Sequence, residues 1–458
     1  MKRTSVRTLL AVAAAAASFV AIAAPALAQP TMSRPSPDTP NVPGVKLTFV
    51  HLAQEVPAVL YEPTAPGAKS QIALLVTHGG DYLTFSACTQ LSERGYRVLC
   101  MDPSGENLDR TLLETKLGVD FLRRYPGVRK VVLFGHSGGA TIVSAYQDIA
   151  ENGVKVCQDA QKVHKCPDNL AGLTPADGIV MPDANYGNAE MMLFSVDPAL
   201  TDDHNGKTLD PALDLYNPAN GFNPVAPNYS PAFIRTFQTA QARRYARLVD
   251  SAQQQMAAIE AGAGPYDDDA PFAIAGASSL GPNNKLFSQD PALLSHTKRA
   301  WPLLKADGTS VVQIVHTVRR PESLKRTDPS FGLASYKGTL SEFLAGSALR
   351  VDPDFSYDAD DIHGVEWTSS YASPPGNVEG VGVPLLAMGM TGHWEFLAAE
   401  FIYDHAKSPD KSIAFVEGAS HMYAPCKECE KTPGEFGDTM KTLYDYIDAW
   451  LAKPGRFI

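Results

Sequence analysis

The sequence predicts an α/β fold: a mostly parallel sheet flanked by helices, with a large inserted lid or cap region. Three observations carry this. Short apolar runs bounded by turn residues alternate with helix-compatible stretches over the first 190 residues. The alternation breaks near Asn188, and it resumes near Val383. Continuous short runs of this kind fit strands buried on both faces of a parallel sheet, and alternation with helices implies right-handed crossovers.

The elements follow in order. Lys2, Arg3 and Arg7 form a positive head, an Ala-rich apolar run extends from Leu9 to about Ala24, and Ala26-Leu27-Ala28 is a small-residue cleavage site. The run is shorter than the roughly 20 residues a spanning helix needs, so 1–28 reads as an export signal cut after Ala28. That places the mature protein in a bacterial periplasm or outside the cell. Residues 29–44 are Pro- and Ser-rich without apolar period, a linker. The first part of the core is 45–190, with strands expected at 72–77, 96–101, 130–134 and 178–181 and helices at about 84–94 and 109–125. From 191 to 380 the chain is rich in Asp, Pro, Asn and Gly, as an inserted lid or cap would be. It holds one long helix, with Ser230 as N-cap and Pro231 in the first turn, running to about Ala261. The second part of the core is 381–458, with strands at 383–388 and 412–416 and helices at about 395–407 and 435–452.

Composition excludes several function classes. Of 458 residues 44% are hydrophobic and 19% charged, which suits a large packed core and not a disordered chain. Lys and Arg total 39 against 50 Asp and Glu, and loss of the three basic residues of the leader would move the net charge from −11 to −14. So acidic a surface argues against nucleic acid and anionic membranes as partners. No stretch after the leader is long and apolar enough to span a bilayer. In an oxidising compartment the pairs Cys157/Cys166 and Cys426/Cys429 are most simply disulfides, and Cys88 and Cys100, inside core elements, are expected as buried thiols. The spacings match no familiar zinc module.

The chemistry centres on Phe134-Gly-His-Ser-Gly-Gly-Ala140, which contains G-x-S-x-G as Gly135, Ser137 and Gly139. The pattern alone arises by chance in about one chain of this length in ten. Its context is what counts: a buried strand precedes it and a helix-compatible run follows. A nucleophile on a sharp strand-to-helix turn needs small neighbours, and the helix N-terminus favours developing negative charge. Directly after the first buried strand comes Thr77-His-Gly-Gly-Asp81, a loop that could supply a backbone donor to an oxyanion. The expected donors are the N–H groups of Gly138 and Gly80, with His78 bracing its own loop. Among 11 histidines His421 stands out as the base, because it follows the last expected strand and precedes the final helix. His136 adjoins Ser137 but points away from it on such a turn.

With the elbow, the His78-Gly79-Gly80 loop and the late His421, the layout resembles the α/β-hydrolase superfamily over about 45–190 and 380–458. The resemblance implies the chain order Ser, acid, His, and an acid after the strand that precedes the last helix–strand pair. Gly392 stands where that acid usually falls, so the first candidate is Glu395, three residues on, in Gly392-His-Trp-Glu395. The second is Asp183, after the preceding core strand, where some lipases of the superfamily carry their acid; Glu400 and Asp404 lie further off. The resemblance implies an exported serine hydrolase that cleaves a small carboxylic ester or lactone through an acyl-enzyme, without metal or organic cofactor. An amidase or peptidase using the same triad is the enzymatic alternative. A non-catalytic binding protein of the same fold is the other. Thioredoxin-like chemistry at Cys426-Lys-Glu-Cys429 is disfavoured, because this CxxC lies in a loop just past His421, where a disulfide would brace the histidine loop.

Overall fold

The computed structural model describes residues 41–53, 56–80, 82–105, 107–203, 208–277, 285–321 and 335–457. The leader expected at 1–28 and most of the linker expected at 29–44 lie outside the described residues. The fold begins with strands β1 (Val45–His51) and β2 (Pro57–Pro63), then β3 (Ile72–Val76), helix α1 (Ser86–Glu93), β4 (Arg97–Met101), α2 (Leu108–Arg124), β5 (Lys130–Phe134), α3 (Gly139–Asn152) and β6 (Gly178–Pro182). The expected strands of the first half are thus present with ends shifted by a residue or less. The runs are apolar throughout because both faces are covered: every residue of β3 and β6 is buried.

After β6 come α4 (Asn188–Ser195) and the long α5 (Pro231–Glu260). Ser230 caps α5, its side chain accepting from Phe233 N–H, and Pro231 occupies the first turn as the sequence predicts. The middle region continues with β7 (Pro271–Ile274), α6 (Leu286–Gln289), β8 (His296–Leu304), β9 (Ser310–His316), β10 (Tyr336–Thr339), α7 (Leu340–Gly346), β11 (Arg350–Tyr357), β12 (Ile362–Glu366) and α8 (Pro374–Asn377). The chain closes with β13 (Leu385–Met390), α9 (Ala398–His405), β14 (Lys411–Val416) and α10 (Thr439–Leu451).

Ten strands form one sheet in the order β1-β2-β4-β3-β5-β6-β13-β14-β8-β9. From β4 to β8 every neighbouring pair is parallel, and antiparallel strands close both edges. Alternate residues of the parallel strands feed two cores. Leu75, Leu133, Met181 and Ala387 pack with α2, α3 and α9 on one face, whereas Leu74, Val132, Val180 and Leu386 pack with α1 and α10 on the other. Helices on both faces of a mostly parallel sheet are the architecture the sequence predicts.

Two features depart from the sequence reading. The middle region does not stand apart from the core, because β8 pairs with β14 through Leu303 and Leu304 and brings β9 with it to the sheet edge. Cys88 and Cys100 are not thiols but a disulfide, with Cα atoms 6.2 Å apart. The reason is that α1 folds back on β4, which sets the two side chains against each other. The pairs Cys157–Cys166 and Cys426–Cys429 are joined as expected. Among the described residues no helix is long and apolar enough to cross a membrane.

One buried acid makes stability depend on pH. Glu190 on α4 is fully buried and neither carboxyl oxygen has a hydrogen-bond partner. A Cβ on Gly187 (φ +136°) would fall 1.9 Å from its Oε2, so only glycine leaves room for it. Burial pushes the carboxyl up to about 8 from an ordinary 4.5. The folded chain therefore keeps a proton that the unfolded chain releases. That contribution to stability is present below the ordinary value and is lost as pH rises toward 8. Glu190→Gln is expected to melt close to the parent at pH 4.5 and above it at pH 8.5, by on the order of a few kcal/mol. A melting difference that stays constant between those pH values would overturn the assignment.

Candidate active site

Five loops meet at the C-terminal edge of the parallel strands, where α/β sheets place their ligands. They follow β3 (Thr77–Gly80), β5 (Gly135–Gly138), β6 (from Asp183), β13 (Thr391–Glu395) and β14 (Glu417–Pro425).

The turn after β5 is built by close approach. A Cβ on Gly135 would lie 2.5 Å from Gly139 O, and one on Gly139 would lie 2.7 Å from Thr77 O. Ser137 between them has φ +53°, a left-handed conformation that an L-residue holds only where its surroundings impose it. The surroundings are visible: Ser137 N–H donates to Asp183 O (3.1 Å) and Asn185 N–H donates to Ser137 O (3.3 Å). The loop after β6 is thereby stitched to the elbow, and Asp183 is itself left-handed at φ +48°. Gly138 is the N-cap of α3, with the His78 ring and the Asn185 amide beside it. Neither Gly80 nor Gly138 has its N–H in a hydrogen bond with a described residue.

The carboxylate that meets His421 is Asp183. His421 Nδ1 stands 2.7 Å from Asp183 Oδ2 in a hydrogen bond, and Met390 N–H donates to Oδ1 at 3.2 Å. Glu395, the first candidate from sequence, makes no hydrogen bond to His421; its Oε2 lies 3.8 Å from Nδ1. Sheet order is the reason. β6 lies directly beside β5, so the first residue past β6 is delivered next to the elbow, whereas Glu395 comes five residues beyond the end of β13. Along the chain the three residues stand in the order Ser137, Asp183, His421. Glu400 turns instead to Trp301 Nε1 (2.6 Å) and the backbone of Lys298, and Asp404 pairs with Arg299.

His421 sits in a small hairpin closed by the Ala419–Pro425 bridge, with Cys426 N–H donating to Gly418 O at 2.8 Å. The Cys426–Cys429 disulfide lies at the hairpin's foot, against Gly392. A second tie was not legible in sequence. His136 points away from the site, as expected, and burial holds it neutral, its pKa well below the ordinary value. Its Nε2–H donates to His421 O (2.8 Å), so its Nδ1 accepts from Tyr82 O–H (2.6 Å). One side chain thus links the elbow, the loop after β3 and the histidine hairpin. His78 stacks on Tyr82 with centroids 4.3 Å apart, a bracing contact within its loop, and burial with the nearby His421 charge lowers it to about 4.

His393, from the loop after β13, brings its Nδ1 to 2.9 Å from the same Asp183 Oδ2, off the line a hydrogen bond needs, and to 3.7 Å from Glu395 Oε2. The charges of these four groups pull against one another. Burial would raise Asp183, but His393 and His421 outweigh it and hold the carboxyl well below the usual range. Burial opposes charge on His421, but the bond to Asp183 and its negative charge win and raise it. Burial and then His421 lower His393 to about 4. Burial, with Asp183 adding to it, raises Glu395 to about 8, against the opposing charges of His421 and Lys285. Lys285 is itself lowered to about 7 by burial; its Nζ donates to Ser195 Oγ at 2.9 Å and lies 5.4 Å over the Trp394 ring.

No family model and no curated protein sequence matches the chain. Solved structures similar to it include a hormone-sensitive lipase from a metagenome library, at 11% identity and TM-score 0.40, covering 90% of this chain and 87% of that one. Others are carboxyl esterase 2 from the mycorrhizal fungus Tuber melanosporum (10% identity, TM-score 0.39, 91% and 89% covered) and an alpha/beta hydrolase superfamily protein from Enterococcus faecalis (12%, 0.36, 89% and 98%). A mostly parallel sheet between two helical layers, a serine on a left-handed turn between β5 and α3, and a glycine loop after β3 give the chain an α/β-hydrolase-like core.

Proposed function

We propose that the chain is an exported serine hydrolase that cleaves a carboxylic ester or lactone. The observation that carries the reading is the His421–Asp183 hydrogen bond of 2.7 Å, anchored to a left-handed Ser137 through the Ser137–Asp183 backbone contact. A serine hydroxyl is a poor nucleophile until a base takes its proton. In this reading Asp183 keeps the His421 proton on Nδ1, which leaves the Nε2 lone pair free to receive the Ser137 proton. The resulting imidazolium is stabilised by Asp183 and then protonates the leaving alcohol. The N–H groups of Gly138 and Gly80 would hold the oxyanion, consistent with their having no other described acceptor. Water then releases the acyl group by the same steps in reverse order. Export is supported by the basic head and Ala-Leu-Ala site of the leader and by three disulfides, which persist in oxidising compartments.

The test is turnover of p-nitrophenyl acetate and butyrate by the mature chain, with a fluorophosphonate probe mapped by peptide mass. Nitrophenol release with label on the Ser137 peptide is expected. Release with label on a different residue, or neither release nor label, would sink the proposal.

A further inference from the structure

We propose that Asp183, His393, Glu395 and His421 form a binding site for one tetrahedral divalent transition-metal ion of the zinc class, and that metal binding there switches off hydrolysis at Ser137. The switching half rests on the hydrolase reading; the site itself does not.

The geometry of the four donor atoms carries the site. Ligand atoms about 2.1 Å from a tetrahedral centre stand roughly 3.4 Å apart. Here His421 Nδ1 and His393 Nδ1 lie 2.7 and 2.9 Å from Asp183 Oδ2, and 3.8 and 3.7 Å from Glu395 Oε2. All four atoms fall within 4.8 Å of one another. These separations bracket the tetrahedral edge: to admit an ion the two edges to Asp183 would open by about 0.5–0.7 Å and the two to Glu395 would close by about 0.3–0.4 Å.

A second observation is independent of the spacing. One of the four atoms, Glu395 Oε2, is buried without a hydrogen-bond partner, and Glu395 is only 4% exposed. A buried polar atom left unpaired costs about 1–3 kcal/mol, and this one faces His393 Nδ1 and His421 Nδ1 at 3.7 and 3.8 Å. Two imidazole nitrogens with two carboxylate oxygens in a tetrahedral arrangement suit Zn2+ or Co2+ rather than the all-oxygen shells of Ca2+ and Mg2+. The positive charges of Lys285 and Arg319, near Glu395 and His393, oppose the ion and moderate its affinity without occupying its place.

Binding and catalysis then exclude each other for a chemical reason. The base needs its proton on Nδ1 and a lone pair on Nε2. A metal on His421 Nδ1 takes that position, so the neutral ring carries its single proton on Nε2 and cannot accept the one from Ser137. Asp183 is drawn to the ion at the same time.

The probe is Co2+, whose tetrahedral complexes absorb strongly in the visible, added to the untagged mature chain carrying Ser137→Ala. Expected is one ion per chain with a tetrahedral band, displaced by Zn2+, and an affinity lower by about tenfold or more when His393→Ala or Glu395→Gln is added. Melting curves of both variants establish that they fold. In the parent, Zn2+ should inhibit ester turnover at the concentration where it displaces Co2+, and a chelator should restore it. No band, or a band that persists unchanged in both ligand variants, overturns the site. Binding without loss of turnover overturns the switch and leaves the site. Binding by a parent chain that hydrolyses no ester would instead tell against the hydrolase reading alone.

Discussion

Ser137→Ala is expected to lower kcat/KM toward p-nitrophenyl esters by about six orders of magnitude, Asp183→Asn by about four, and Glu395→Gln by less than about tenfold. The first removes the nucleophile. The second is nearly isosteric, yet the asparagine amide can donate toward His421 Nδ1, which drives the ring proton to Nε2 and leaves no base facing the serine. The third changes a group whose carboxyl, raised to about 8, already holds its proton at neutral pH and which makes no hydrogen bond to His421. All three should melt as cooperatively as the parent. A larger loss from Glu395→Gln than from Asp183→Asn would return the acid role to Glu395. Full activity in Ser137→Ala would remove the elbow from the mechanism altogether.

The contest between those two carboxylates shows where sequence stops being informative. Strands β3, β5, β6 and β13 are legible because burial on both faces leaves no polar position in the runs except Lys130 at the start of β5. The elbow is legible because its glycines flank the serine at a fixed local spacing: Gly135 answers to Gly139 and Val143 a few residues on, although Gly139 answers to the distant Thr77 O. Which acid reaches His421 is decided by the order of strands, with β6 between β5 and β13, and no local pattern encodes that order. The same limit hid β8 and β9. Near the sheet edge one side of a strand is open, so His296–Leu304 carries Lys298, Arg299 and Pro302, and β9 exposes Val312 at 68%. The Cys88–Cys100 disulfide was hidden differently, by a helix that returns the chain onto its own next strand. His136 carried no signal at all, since its role comes from two partners, one 54 and one 285 positions away.

The glycine-to-alanine change is expected to have opposite signs at Gly135 and Gly346. At Gly135 the added Cβ would sit 2.5 Å from the carbonyl oxygen of Gly139 and 2.6 Å from Val143 Cγ2. The first obstacle is backbone, in the opening turn of α3, and relieving it would displace Ser137 and the contacts that hold it left-handed. Overpacking of this kind costs about 1–3 kcal/mol, and the strained turn adds to it, so a stability loss of about 3 kcal/mol is expected together with loss of ester turnover. At Gly346, the last residue of α7, an added Cβ meets nothing within 4 Å and φ is not left-handed. Alanine there removes freedom from the unfolded chain and should raise stability by about 0.4–1 kcal/mol, with turnover unchanged. Urea unfolding of both variants checks the pair. If Gly135→Ala were as stable and active as the parent, the close approach of β5 to α3 would not be what holds Ser137 in place, and the left-handed serine would have to be explained by the β6 loop alone.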